Sequence, residues 1–110
     1  MTERFTKIVK GDRIDANGII VDYAVRDVKT DALYADIKFQ LDPVKEAGVN
    51  GIFIEDLLNI CLDRLEQYQK TKFKCVENSK SIRYIRNILV ELDNRTKNRQ
   101  KRNVEGTSQR

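Results

Sequence analysis

No histidine occurs anywhere in the 110 residues. That excludes His-based catalytic triads and His-ligated metals, and it makes most acid–base chemistry harder to build. Cysteine is almost as scarce: Cys61 and Cys75 are too few for a disulfide framework or a metal-ligand set. Cys61 lies among leucines in "LLNICLDRL", which predicts a buried core thiol. Paired-carboxylate and Gly-rich phosphate-loop motifs are missing too, so the sequence points away from an enzyme and implies no cofactor and no metal. No apolar run approaches the ~20 residues of a membrane span, and "MTERFTKIVK" has no signal-peptide core. The expectation is a protein that stays where it is made, with no membrane partner.

What is present is charge, unevenly placed. Hydrophobic residues make up 40% and charged residues 35%, the range of a polar globular domain. The net charge is +4. From Asp93 to Arg110 six basic residues face two acids, and residues 1–92 carry 15 of each sign. The body is neutral and the excess sits at the end, which suggests an anionic partner. A chain this short has a thin core, and an oligomer is a natural way to bury more surface.

The first half reads as strands. "FTKIV" (Phe5–Val9) and "GIIVDYAV" (Gly18–Val25) are rich in β-branched residues, with Asn17-Gly18 marking a turn between them. "LYADIKFQL" (Leu33–Leu41) alternates apolar and polar with period two, and "RDVKTDA" (Arg26–Ala32) connects the second and third strands. Short connections predict an antiparallel meander over 1–41. "DPVKEAGVNG" carries the only proline and two glycines and predicts a loop over 42–52. Ile54, Leu57, Leu58, Cys61, Leu65 and Tyr68 then recur at helical spacing, giving a first helix over 53–69. A second helix is predicted over 77–102, capped by Asn78 or Ser79, with Ile82, Ile85, Ile88, Leu89 and Leu92 as its apolar face. Residues 103–110 form a tail. The result is one α+β domain: a small N-terminal antiparallel β-sheet packed against two C-terminal antiparallel α-helices.

Continued at its own period, the second helix places Arg95, Arg99 and Arg102 in line with Ile88 and Leu92. A guanidinium on the buried side needs an anion, and its planar fork suits phosphate. The plain reading is a solvated helix end whose cations offset the dipole. Tyr68 and Asn78 meet if the helices are antiparallel. An aromatic face and an amide suit a nucleobase, although a core-edge tyrosine and a helix cap would look the same. A small basic nucleic-acid-binding module is the main rival. The few basic residues and the absence of helix-turn-helix or zinc-finger spacing weigh against it. An interface protein with the arginines paired to acids is a second rival.

"FQLDPVKEAGVNGIFIEDLLNICLDRLEQYQ", "CVENSKSI" and "LDNRTKNRQKRNVEGTSQ" together resemble the phage Thoeris anti-defence protein family, in its first class, over roughly Tyr34 to Gln109. The resemblance implies a sponge that sequesters nucleotide immune signals without cleaving them. The signals would be cyclic ADP-ribose isomers (gcADPR), and in some members of the family also the cyclic oligonucleotides of CBASS defence, in the cytoplasm of an infected bacterium. It also implies a homo-oligomer, either a dimer or a hexamer built as a trimer of dimers. Carried over by position, Tyr68 would stack on adenine, Asn78 would hydrogen-bond the ligand, and Arg95 would contact the pyrophosphate. Arg99 is added from helix spacing. Tyrosine stands where the family more often has phenylalanine, so its hydroxyl needs a partner. A second site for cyclic oligonucleotides is expected at Arg26, Lys29 and Thr30, in a turn that symmetry would repeat. The closing "VEGTSQ" would form a lid or subunit contact.

Overall fold

A computed structural model describes residues 4–102; the closing tail, with its expected lid, lies outside them. The described residues form two compact units, one up to Ile52 and one from Phe53.

The first unit is a meander, as its short connections predict. Strands β1 (Thr6–Lys10), β2 (Asp22–Asp27) and β3 (Leu33–Lys38) form an antiparallel sheet in the order β1-β2-β3. The period-two pattern of β3 holds from Ala35 to Phe39, with half-buried residues alternating with exposed ones. Phe39 meets Tyr23 of β2 edge to face, ring centroids 5.8 Å apart. The expected turn at Asn17-Gly18 is present. Asp15 accepts hydrogen bonds from the Asn17 and Ile19 amides, and Gly18 takes φ 79°, a left-handed conformation open to glycine at little cost. The second strand is shorter than predicted. Residues before Asp22 are spent on an isolated Ile14–Ile20 bridge and on a bond from the Val21 amide to the Arg13 carbonyl.

The predicted loop at 42–52 contains one helical turn, α1 (Val44–Ala47), and a polar clasp. Asn50 accepts from the Leu41 amide and donates to the Leu41 carbonyl, both at 2.8 Å. Gln40 accepts from the Asn50 amide at 2.9 Å and donates to the Asp42 and Gly48 carbonyls. The clasp lets Ile52 pair beside Phe39 in a parallel bridge. Gly51 passes so close that a Cβ there would stand 2.5 Å from the Phe39 carbonyl. These contacts give the "GVNG" pattern a physical reason.

The second unit is a helix hairpin of α2 (Ile54–Tyr68) and α3 (Val76–Lys101), within a residue of the predicted spans. Gln69 bonds Ser79 and Glu66 bonds Arg86. Stepping back along α2 therefore advances along α3, and the pair is antiparallel. The N-cap of α3 differs from expectation. Cys75, neither Asn78 nor Ser79, caps the helix, its sulfur accepting from the Asn78 amide at 3.4 Å. Asn78 lies inside the first turn, which leaves its side chain out of the capping.

Two further expectations are corrected here. Cys61 is exposed, because the half-buried line of α2 runs through Leu58, Leu62, Leu65 and Gln69, leaving Cys61 on a flank. On α3 the half-buried line is Asn78, Ile82, Ile85, Leu89, Leu92, Thr96 and Arg99. Ile88, assigned to that face from spacing, is 45% exposed, one position out of phase. Among the described residues Val21 is the only buried apolar side chain. A single copy thus leaves Ile54, Ile60, Tyr84 and Ile88 largely in solvent.

Candidate functional site

The loop between the helices brings the expected aromatic and amide to one end of the hairpin. Gln69 closes this loop. Its amide nitrogen donates to the Cys75 carbonyl and the Ser79 hydroxyl, both at 3.0 Å, and its oxygen accepts from the Cys75 amide at 3.1 Å. Tyr68 precedes Gln69 and Asn78 precedes Ser79, so both flank the closed end. Gln69 was not singled out from the sequence. Its place at the end of the apolar stripe, one residue after Tyr68, was the available signal.

Tyr68 is 39% exposed. Its hydroxyl has the partner that the tyrosine requires: Arg64, one turn earlier, donates from Nη2 at 2.9 Å. The guanidinium carbon stands 5.5 Å from the ring centroid. On the other side of the loop Phe73 meets the Tyr68 ring at 86°, centroids 6.3 Å apart. Thr71 donates its hydroxyl to the Tyr68 carbonyl at 2.6 Å. Arg64, Gln67, Tyr68 and Thr71 line a recess of about 180 Å³. Neither Arg64 nor Phe73 entered the sequence reading, although the i,i+4 spacing of Arg64 and Tyr68 is a legible helix-surface pair.

The arginines stand elsewhere. Arg95 follows Asn78 by 17 residues on one helix, about 26 Å along the axis at ~1.5 Å per residue. Tyr68 and Asn78 thus share one end of the hairpin, and Arg95 of the same chain is far from it. Arg95 is exposed and belongs to the Ile88 flank, whereas Arg99 is half-buried and continues the Leu92–Thr96 line. Among the described residues neither forms an ion pair with a carboxylate. Lys97 does, with Asp93 at 3.0 Å.

Arg26 lies near the end of β2, and Lys29 and Thr30 follow in the β2–β3 turn. Asp27 organises it: one carboxylate oxygen accepts from the Lys29 and Thr30 amides at 2.8 and 2.9 Å, the other from the Tyr34 hydroxyl at 2.9 Å. These donors, the Thr30 amide first, hold the Asp27 carboxyl below its ordinary pKa. The hydrogen bond to Asp27, and then its charge, push Tyr34 up. Two of the three side chains are already engaged. Arg26 donates to the Asp31 carbonyl at 2.9 Å, and Thr30 accepts from the Ala32 amide at 3.2 Å.

No helix among the described residues is long and apolar enough to cross a membrane. No family model matches the chain. A curated protein of Bacillus phage SBSphiJ7, described as Thoeris anti-defense 1, is 41% identical over 76 residues, covering 69% of this chain and 54% of that protein. The chain thus spans about half the length of the curated relative it matches. With that identity over the greater part of its length, the chain belongs to the Thoeris anti-defence family.

Proposed function

We propose that this protein suppresses Thoeris immunity by binding a nucleotide signal, a cyclic ADP-ribose isomer such as gcADPR, and holding it intact in the host cytoplasm. The observation that carries the reading is the end of the hairpin. A part-exposed tyrosine ends α2 one residue before Gln69, whose side chain bonds Ser79 in the first turn of α3, and the Asn78 side chain takes no part in the cap of that helix. Stacking on such a ring contributes ~1–3 kcal/mol per base, and the amide suits a base edge. Arg95 and Arg99 supply charge-assisted bonds to the pyrophosphate.

One chain cannot close this site on a ligand of nucleotide size, because about 26 Å of helix separates Asn78 from Arg95. A second copy brings its own arginines to the first copy's Tyr68 and Asn78. The apolar side chains exposed along the helices in one copy fit such a homo-oligomer, a dimer or a trimer of dimers. In the larger assembly the turn bearing Arg26, Lys29 and Thr30 repeats around an axis and receives a CBASS cyclic oligonucleotide. No step of this function breaks a bond in the ligand.

Calorimetric titration with cyclic ADP-ribose isomers and cyclic di- and trinucleotides tests the reading. Heat denaturation of the loaded protein should return intact ligand. Recovery of degraded nucleotide would indicate an enzyme, and tighter binding of linear oligonucleotides at physiological salt would favour a nucleic-acid module.

A further inference from the structure

We infer that Arg64 is a ligand-binding residue, held by the Tyr68 hydroxyl so that its free N–H groups meet a phosphate of the nucleotide stacked on Tyr68. The inference rests on the proposed function and adds a residue to that site. Arg64 has no carboxylate partner among the described residues; its described acceptor is the neutral Tyr68 oxygen, 2.9 Å from Nη2. The carboxylate beside it in sequence, Asp63, accepts instead from Gln67 at 2.6 Å. A guanidinium carries five N–H donors in a fixed fork. One bond to a phenol leaves an edge open for the paired bonds that phosphate accepts. Arg64 and Tyr68 both line a recess of about 180 Å³.

The tyrosine hydroxyl is what fixes the arrangement. A phenylalanine at position 68 would still offer a stacking face but would remove the acceptor that holds Arg64 Nη2. The hydroxyl holds the cation 5.5 Å from the ring centroid, so part of the cost of ordering a long side chain is met before the ligand arrives. Tyr68 therefore acts twice, as a stacking surface and as the group that positions Arg64.

The full chain is titrated with a cyclic ADP-ribose isomer at several salt concentrations, as wild type, Arg64→Gln, Arg64→Lys, Tyr68→Phe and the Arg64→Gln/Tyr68→Phe double variant. Arg64→Gln is expected to weaken binding roughly 10- to 100-fold and to flatten the salt dependence. Arg64→Lys should recover only part of the loss, since an ammonium lacks the fork. Tyr68→Phe should cost a few-fold in the wild-type background and nothing further beside Arg64→Gln. Arg64 is exposed, so each variant should keep the wild-type melting temperature within a few degrees. If wild type binds and Arg64→Gln binds within twofold of it, the assignment of Arg64 falls and the proposed function stands. Additive losses in the double variant would remove the positioning role of the hydroxyl. If wild type binds none of the isomers, both readings fall together.

Discussion

Asn50→Ala offers the sharpest test of how the loop between sheet and helices is held. Asn50 makes two side-chain bonds to one residue, accepting from the Leu41 amide and donating to the Leu41 carbonyl, each at 2.8 Å. Net contributions of about 0.5–1.5 kcal/mol per bond would give ~1–3 kcal/mol for the pair. Asn50 is exposed and water can replace part of what is lost, so the lower portion, about 1–2 kcal/mol, is expected. The chain has no tryptophan, so melting is followed by circular dichroism, and the midpoint should fall by roughly 5–12 °C. Hydrogen exchange reads the site directly: the Leu41 amide should exchange about 5- to 30-fold faster. Asn50→Asp keeps the acceptor but sets an oxygen against the Leu41 carbonyl, and should rescue little of the loss. An alanine variant with unchanged melting and Leu41 exchange within twofold would refute the clasp.

Two further outcomes follow from the same unit. Gly51→Ala would place a Cβ 2.5 Å from the Phe39 carbonyl and 2.7 Å from the Gln40 nitrogen. Both are backbone atoms, so the Phe39–Ile52 bridge must part; denaturant unfolding should show a loss of about 2–3 kcal/mol, with normal stability arguing against the close approach. Asp27, held below its ordinary 3.8, stabilises the β2–β3 turn fully above that value and loses its contribution as pH falls through the lower folded value. Tyr34→Phe removes one of the donors and should make the turn loosen at a higher pH, visible as an upward-shifted acid midpoint for the Thr30 amide by NMR; an unmoved midpoint would count against the Tyr34–Asp27 bond.

Much of this architecture was legible from pattern. Alternation gave β3, the β-branched runs gave the meander, and 3.6-residue spacing placed both helices within a residue or two. The misreadings came from groups that propensity ranks poorly. A thiol is a weak hydrogen-bond acceptor, so Asn78 and Ser79 looked the better caps, yet Gln69 fixes the Cys75 backbone on both sides and leaves its sulfur at the cap position. On α3 the expected Ile82, Ile85, Leu89 and Leu92 are half-buried, and Ile88 alone was misassigned, because it is adjacent to Leu89 and equally apolar and only packing decides between them. The site was legible as residue types and not as distances. Tyr68 and Asn78 lie at the same end of the hairpin, whereas Arg64 needed the three-dimensional partner of one hydroxyl to become visible. Asp42, at φ 65°, accepts from the Ala16 amide at 2.8 Å, a long-range tie that no local pattern announces.

The unbroken run of α3 from Val76 to Lys101 makes that helix a counter as well as a wall. Each residue turns the chain by about 100° and advances it ~1.5 Å. Inserting one residue between Asn78 and Arg95 would swing both arginines about a quarter of a circle away from the faces they now occupy. Inserting seven would nearly restore their direction and displace them by about 10 Å. Variation in this stretch should therefore be forgiving of identity and strict about number, so that a surface lysine can be exchanged where a single deletion cannot be absorbed.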